Sequence, residues 1–163
     1  MSSDTTSSPA PSTQDALAVL RADHRRIQAL FADYARLAAG HAGAADRSGM
    51  ISRVGAQWLS HAQIAQELFY PALDASEPLL VRARSHHADI AAQLARLSGP
   101  ATVPMPDNTG VDTQVAALAQ AVTSHLAFEE TSLFPCAATL DLAALGTRLA
   151  LRRGELLGDQ GYD

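Results

Sequence analysis

One phrase occurs twice in this chain, and each copy closes a stretch with helical periodicity. Residues 60–71 read Ser60-His61-Ala62-Gln63-Ile64-Ala65-Gln66-Glu67-Leu68-Phe69-Tyr70-Pro71. Residues 124–135 read Ser124-His125-Leu126-Ala127-Phe128-Glu129-Glu130-Thr131-Ser132-Leu133-Phe134-Pro135. In both, Ser-His opens the phrase, and an aromatic residue precedes a Pro that stands ten residues after the His. The repetition extends upstream. His24 and His61 are 37 residues apart, and His87 and His125 are 38 apart. His24 and His87 each carry Ile three residues later, then an apolar residue at seven (Phe31, Leu94) and at ten (Tyr34, Leu97). Steps of three and four place apolar side chains on one helix face. Two copies of a helical pair, with a His at matching depth in each helix, predict an all-α, up-and-down antiparallel four-helix bundle.

The apolar pattern predicts helices from Gln14 to near Gly40, from Met50 to Pro71 or Leu73, from Pro78 to Leu97 and from Thr113 to Phe134. A short extra C-terminal helix is expected through Leu156, with Asp141 capping its unpaired N–H groups. The Ala-Gly stretch up to Gly49 and the Pro-Gly stretch from Ser98 to Asp112 read as loops. No segment alternates with period two, so no sheet is expected. The Ser, Thr and Pro of residues 1–13 predict a disordered tail, residues 14–157 form the bundle, and 158–163 form a second tail.

Composition narrows function mainly by exclusion. The net charge is −5 and all twelve basic residues are Arg, which leaves no basic footprint for nucleic acid. No long uncharged apolar run predicts a membrane span, and no secretory leader is visible, so a cytoplasmic protein is expected. The single Cys136 excludes an internal disulfide and reads as a packing residue near a helix end.

His24, His61, His87 and His125 fall on apolar helix faces, one per helix. Taken singly, each reads as a core histidine satisfied by its neighbours. Four in register are different. Burying unpaired imidazoles costs on the order of 1–3 kcal/mol each, and a metal would offset those costs together. Glu129 stands four residues after His125, about 40° around the helix, where both can reach one ion. Glu130 lies about 100° further and reads as a surface or supporting group. The matching slot in the first phrase holds Ala65. Glu67 points away from that slot in a regular helix, and Gln66 is a weak neutral donor. His41 is expected to be exposed in its Gly-Ala loop. His86 is expected to face another helix or solvent.

The ordered set Asp23-His24-x-x-Ile27, His61 with Phe69-Tyr70-Pro71, His87-x-x-Ile90 and His125-x-x-x-Glu129-Glu130 with Leu133-Phe134-Pro135 resembles the hemerythrin-like, or HHE cation-binding, family. The likeness spans roughly residues 15–155, including a tail helix over Leu145 to Arg153. It implies a non-heme di-iron centre inside the bundle. His24 and His61 would hold one iron and His87 and His125 the other, with Glu129 as one bridging carboxylate. The second bridge would fall on Ala65, which has no ligand atom. Two divalent ions sharing one carboxylate repel more strongly. The departure therefore implies weaker binding, a single ion, or a bridge from water or an exogenous ligand, and it implies space opened at the site.

The expected metal set is thus His24, His61, His87, His125 and Glu129, with iron as the cofactor. The implied activity is binding or sensing of dioxygen, other oxidants or iron. The implied partners are small ligands such as dioxygen, peroxide or nitric oxide. Peroxide or nitric oxide removal is the catalytic version of the same reading, and enzyme status stays open. Two readings from other classes stand beside it: a structural or interaction bundle that has lost its metal chemistry, and metal storage.

Overall fold

The computed structural model describes residues 15–99 and 109–158. Among them are five α-helices and no strand: α1 (Ala16–Ala39), α2 (Ala44–Ile64), α3 (Glu77–Ser98), α4 (Thr109–Phe128) and α5 (Leu142–Leu157). The expected tails over 1–13 and beyond Gly158, and residues 100–108 of the Pro-Gly stretch, lie outside the described residues. The first four helices form the expected antiparallel bundle, and α5 packs across α1 and α2. No described helix is long and apolar enough to cross a membrane.

Local chemistry sets the helix ends. The Asp15 carboxylate accepts the Ala18 N–H at 2.7 Å, and the Asp141 carboxylate accepts that of Ala144 at 3.0 Å, as the sequence predicted for Asp141. Each satisfies a donor that the first helical turn leaves unpaired. Gly158 closes α5 at φ 70°, a conformation that costs a glycine little. Two starts differ from expectation. α2 begins at Ala44, not Met50, because Ala44 and Ala45 favour helix and Arg47 anchors this turn. The buried Arg47 donates to the Ala42 carbonyl at 2.9 Å and pairs with Asp112 of α4. That same carboxylate accepts from the Tyr34 hydroxyl at 2.7 Å, and α4 accordingly begins at Thr109 rather than Thr113. Burial, with the nearby Asp112 charge, pushes Tyr34 up to about 12.

The core is layered. One apolar layer joins Val19 and Leu20 of α1, Ile64, Ala83 of α3, Phe128, Phe134 and Leu145 and Leu149 of α5. A second joins Ile27, Leu30, Val54, Trp58, Ile90, Leu94, Leu118, Val122 and Leu126. Burying each large side chain stabilises by about 1.5–3 kcal/mol. In every helix of the bundle the registered histidine falls between the two layers: His24 after Leu20, His61 before Ile64, His87 after Ala83, His125 before Phe128. The repeat therefore builds one polar stratum inside an apolar bundle.

α5 is fastened close to this stratum. Asp23, fully buried beside His24, accepts from Arg153 at 2.9 Å and more weakly from Arg26 at 3.4 Å. Removing one partner of such a pair leaves an uncompensated charge. Arg153→Ala should lower unfolding free energy by about 2–4 kcal/mol, read from the urea midpoint at unchanged slope. A loss below about 0.5 kcal/mol would show that Asp23 does not depend on α5.

Candidate metal centre

Four side chains from three helices converge in the polar stratum: ring nitrogens of His61, His87 and His125 and a carboxylate oxygen of Glu129 lie within 4.8 Å of one another. All four are buried. His24 joins them from α1, its Nε2 3.0 Å from Glu129 Oε2. The five residues singled out in the sequence thus meet at one place.

Glu129 divides the group in two. Its Oε2 faces His24 Nε2 at 3.0 Å and His61 Nε2 at 3.2 Å. Its Oε1 faces His125 Nε2 at 3.4 Å and accepts the Tyr70 hydroxyl. His87 Nε2 completes this second half, 2.9 Å from His125 Nε2 and 3.1 Å from the Tyr70 oxygen. One carboxylate oxygen serves each pair of histidines.

Backbone geometry explains why Tyr70 arrives here. α2 and α4 both end in a π-helical turn, Ala65–Phe69 and Glu129–Leu133, followed by a 3₁₀ turn. The Tyr70 N–H bonds to the Ala65 carbonyl, and the Phe134 N–H to that of Glu129, each closing a loop five residues long. Tyr70 therefore stacks over Ala65 as Phe134 stacks over Glu129. The expectation of space opened at Ala65 is corrected. Ala65 is fully buried in the first apolar layer, alongside Phe69 and Tyr70, and the phenol supplies an oxygen to the stratum. Even with a π turn in place, Glu67 stays exposed and pairs outward with Arg152.

Supporting contacts fix three of the four rings from behind. Glu130, at the surface, lies 2.6 Å from His24 Nδ1. The Gln66 amide lies 2.8 Å from His87 Nδ1. His86 Nδ1 lies 3.3 Å from His125 Nδ1, and its ring also meets Phe128. Such partners fix tautomer and orientation in histidines that bind metals. Trp58 walls the stratum, its ring centroid 5.3–5.6 Å from those of His61, His87 and His125. His41 stands exposed in the turn after α1, as expected.

Charge follows the same division. Burial holds His87 neutral, at about 3, with the neighbouring His125 adding to the effect. Burial also opposes protonation of His24, but hydrogen bonds and charge from Glu129 and Glu130 outweigh it and raise its pKa. Burial would push the Glu129 carboxyl up; the His61 charge and hydrogen bonds from the surrounding imidazoles instead hold it well below the ordinary range. Burial and Glu129 push Tyr70 strongly upward, so it is a neutral phenol that donates. An anion, the neutral His87 imidazole and a phenol suit a cation. His61 gives the direct test of fit: both its buried ring nitrogens lack a hydrogen bond, Nε2 lying near Glu129 but out of alignment. A buried imidazole with no hydrogen-bond partner is costly alone and satisfied by a bound ion.

A family profile described as the hemerythrin HHE cation binding domain matches residues 15–137. The chain belongs to the hemerythrin family. No curated protein and no solved structure gives a significant match. The hemerythrin match ends before α5, from which Arg152 and Arg153 nevertheless pair with Glu67 and Asp23. Four residues of this hemerythrin site were not singled out as site residues in the sequence: Tyr70, Trp58, Gln66 and His86. Only Tyr70 carried a signal. The phrase that lacks the carboxylate has Tyr before its Pro, and the phrase that keeps it has Phe.

Proposed function

We propose that this hemerythrin-like chain holds non-heme iron as a di-iron type centre among His24, His61, His87, His125 and Glu129, and binds dioxygen or a related small oxidant there. The supporting observation is the division of Glu129, one oxygen toward each histidine pair. Iron, when bound, would supply open positions for a small ligand and a change of oxidation state.

The chain's own residues prepare the place. His87 is neutral and ready to donate a lone pair. Glu130, Gln66 and His86 hold three rings in orientation. Tyr70 offers an oxygen in the half of the site that holds His87 and His125, and its hydroxyl donates to Glu129. The flanking apolar layers limit water, which strengthens every charge interaction inside.

Metal analysis of protein from iron-supplied cells tests the reading. It should give about one to two irons per chain, two being the di-iron count of carboxylate-bridged helical bundles and one the single ion that Ala65 implies. Zinc or manganese in their place would overturn the choice of iron. A fully helical, metal-free protein would overturn metal binding and favour the structural bundle. Tyr70→Phe should weaken iron retention by about tenfold, as loss of a partner beside a metal site commonly does. Wild-type retention would mean that the phenol only fills space.

A further inference from the structure

A cleft of about 580 Å³ opens between α2 and α3 and runs inward to the polar stratum. Its inner end is made by His87 and Trp58, with Gln66 lying over His87. Its lining includes three small side chains, Ala62 of α2 and Ala88 and Ala91 of α3. Leu59, an exposed leucine, stands at its edge.

The charges at the mouth are unequal. Glu67 lines the cleft but is engaged by Arg152 of α5 at 2.9 Å and by Gln63 at 2.6 Å, and Arg152 holds its carboxyl below the usual range. Arg84 lines the opposite side. Its contact with Glu77, 3.3 Å between two exposed side chains, is weak in water. A second groove, about 250 Å³ between α3 and α4, touches the stratum at His125. It presents Asp89 and no arginine, a charge that repels anions.

We propose that the α2–α3 cleft is an entry port for small inorganic monoanions, with Arg84 as the selecting residue. The class is an ion of one to four heavy atoms, small against the cleft's volume of about 580 Å³. Gln66, itself exposed, then stands between the arriving ion and the outer nitrogen of His87. What the ion finally binds rests on the iron reading given above. The port and its charge preference do not.

Trp58, the only tryptophan of the chain, forms part of the inner end and is fully buried. Its fluorescence therefore reports ion entry without any metal. In the metal-free full chain, iodide should quench Trp58 more than caesium does. Arg84→Glu should cut iodide quenching about threefold, as reversal of a steering charge does. Ala91→Phe should cut quenching by both ions, and Ala121→Phe, in the other groove, should leave it unchanged. In the iron-loaded chain, azide binding should slow about tenfold in Arg84→Glu, while Arg84→Lys stays near wild type. Arg84→Glu changes an exposed residue, so its outcome does not depend on a repacked core. Equal iodide quenching in wild type and Arg84→Glu, or a block by Ala121→Phe in place of Ala91→Phe, would overturn the port. Failure of the iron reading appears separately, as absence of metal in every chain, and the iodide comparison still decides.

Discussion

Glu129→Gln is expected to reduce iron affinity by a hundredfold or more, beyond the roughly 10–100-fold typical of residues that only support a ligand. Glu129 is fully buried, and its two oxygens face His24, His61 and His125 and accept from Tyr70. The other five groups of the cluster are neutral or cationic. Removing the one negative charge leaves bound cations to repel with nothing between them. Gln keeps the shape and one carbonyl acceptor, so loss of iron without loss of helicity isolates the charge. Glu130→Gln is the comparison. It touches only the outer nitrogen of His24, from a half-exposed position, and should cost about tenfold. The metal-free proteins give an independent readout. Glu129 is the largest influence raising the His24 pKa, so His24 should titrate lower in Glu129→Gln by NMR. Iron retention equal to wild type would sink the role assigned to Glu129.

The polar stratum was legible in the sequence because each of its histidines obeys a local rule. A helical register carries His24, His61, His87 and His125 to one depth, and an i,i+4 step carries Glu129 to His125. Periodicity needs no knowledge of the neighbouring helix. Gln66 to His87 and His86 to His125 are contacts between helices, set by packing distance and rotation, and no spacing encodes them. The π turns were invisible for a different reason. Turning about 100° per residue, a regular helix puts Tyr70 well away from the face of position 65. One five-residue loop brings it over that position. The vacant carboxylate was thus read correctly from the repeat, and its surroundings were not. The early starts of α2 and α4 share a cause: Arg47 and Asp112 hold each other and Tyr34 across three helices, a network that the Gly-rich local sequence does not show.

The metal-free protein should lose stability steeply on mild acidification, chiefly through His87. Its folded pKa is about 3 against an ordinary 6.5, because the neutral ring is buried beside His125. A histidine held neutral by the fold favours the unfolded chain once that chain can take up a proton. Its stabilising effect is therefore complete above pH about 6.5 and drains as pH falls toward about 3. At about 1.4 kcal/mol per pH unit, the loss is about 2 kcal/mol by pH 5 and on the order of 5 kcal/mol across the window. His24 offsets this only near neutrality. Its raised pKa gives stability that is complete below the unfolded value and is lost only as pH rises through the folded one. Glu129, whose pKa is depressed, begins to add to the loss only below about 4.5. Urea unfolding of chelator-treated protein at pH 6.5, 5.75 and 5 reads the loss from His87, to which His86, its pKa also lowered by burial, adds a part, and His87→Gln should remove most of it. Iron-loaded protein should hold its stability further down the same range, because ligand imidazoles must surrender the metal before they can be protonated. Stability that stays level from pH 6.5 to 5 in the metal-free protein would show that the His87 ring takes up protons in the folded state, and that the stratum is wetter than its packing implies.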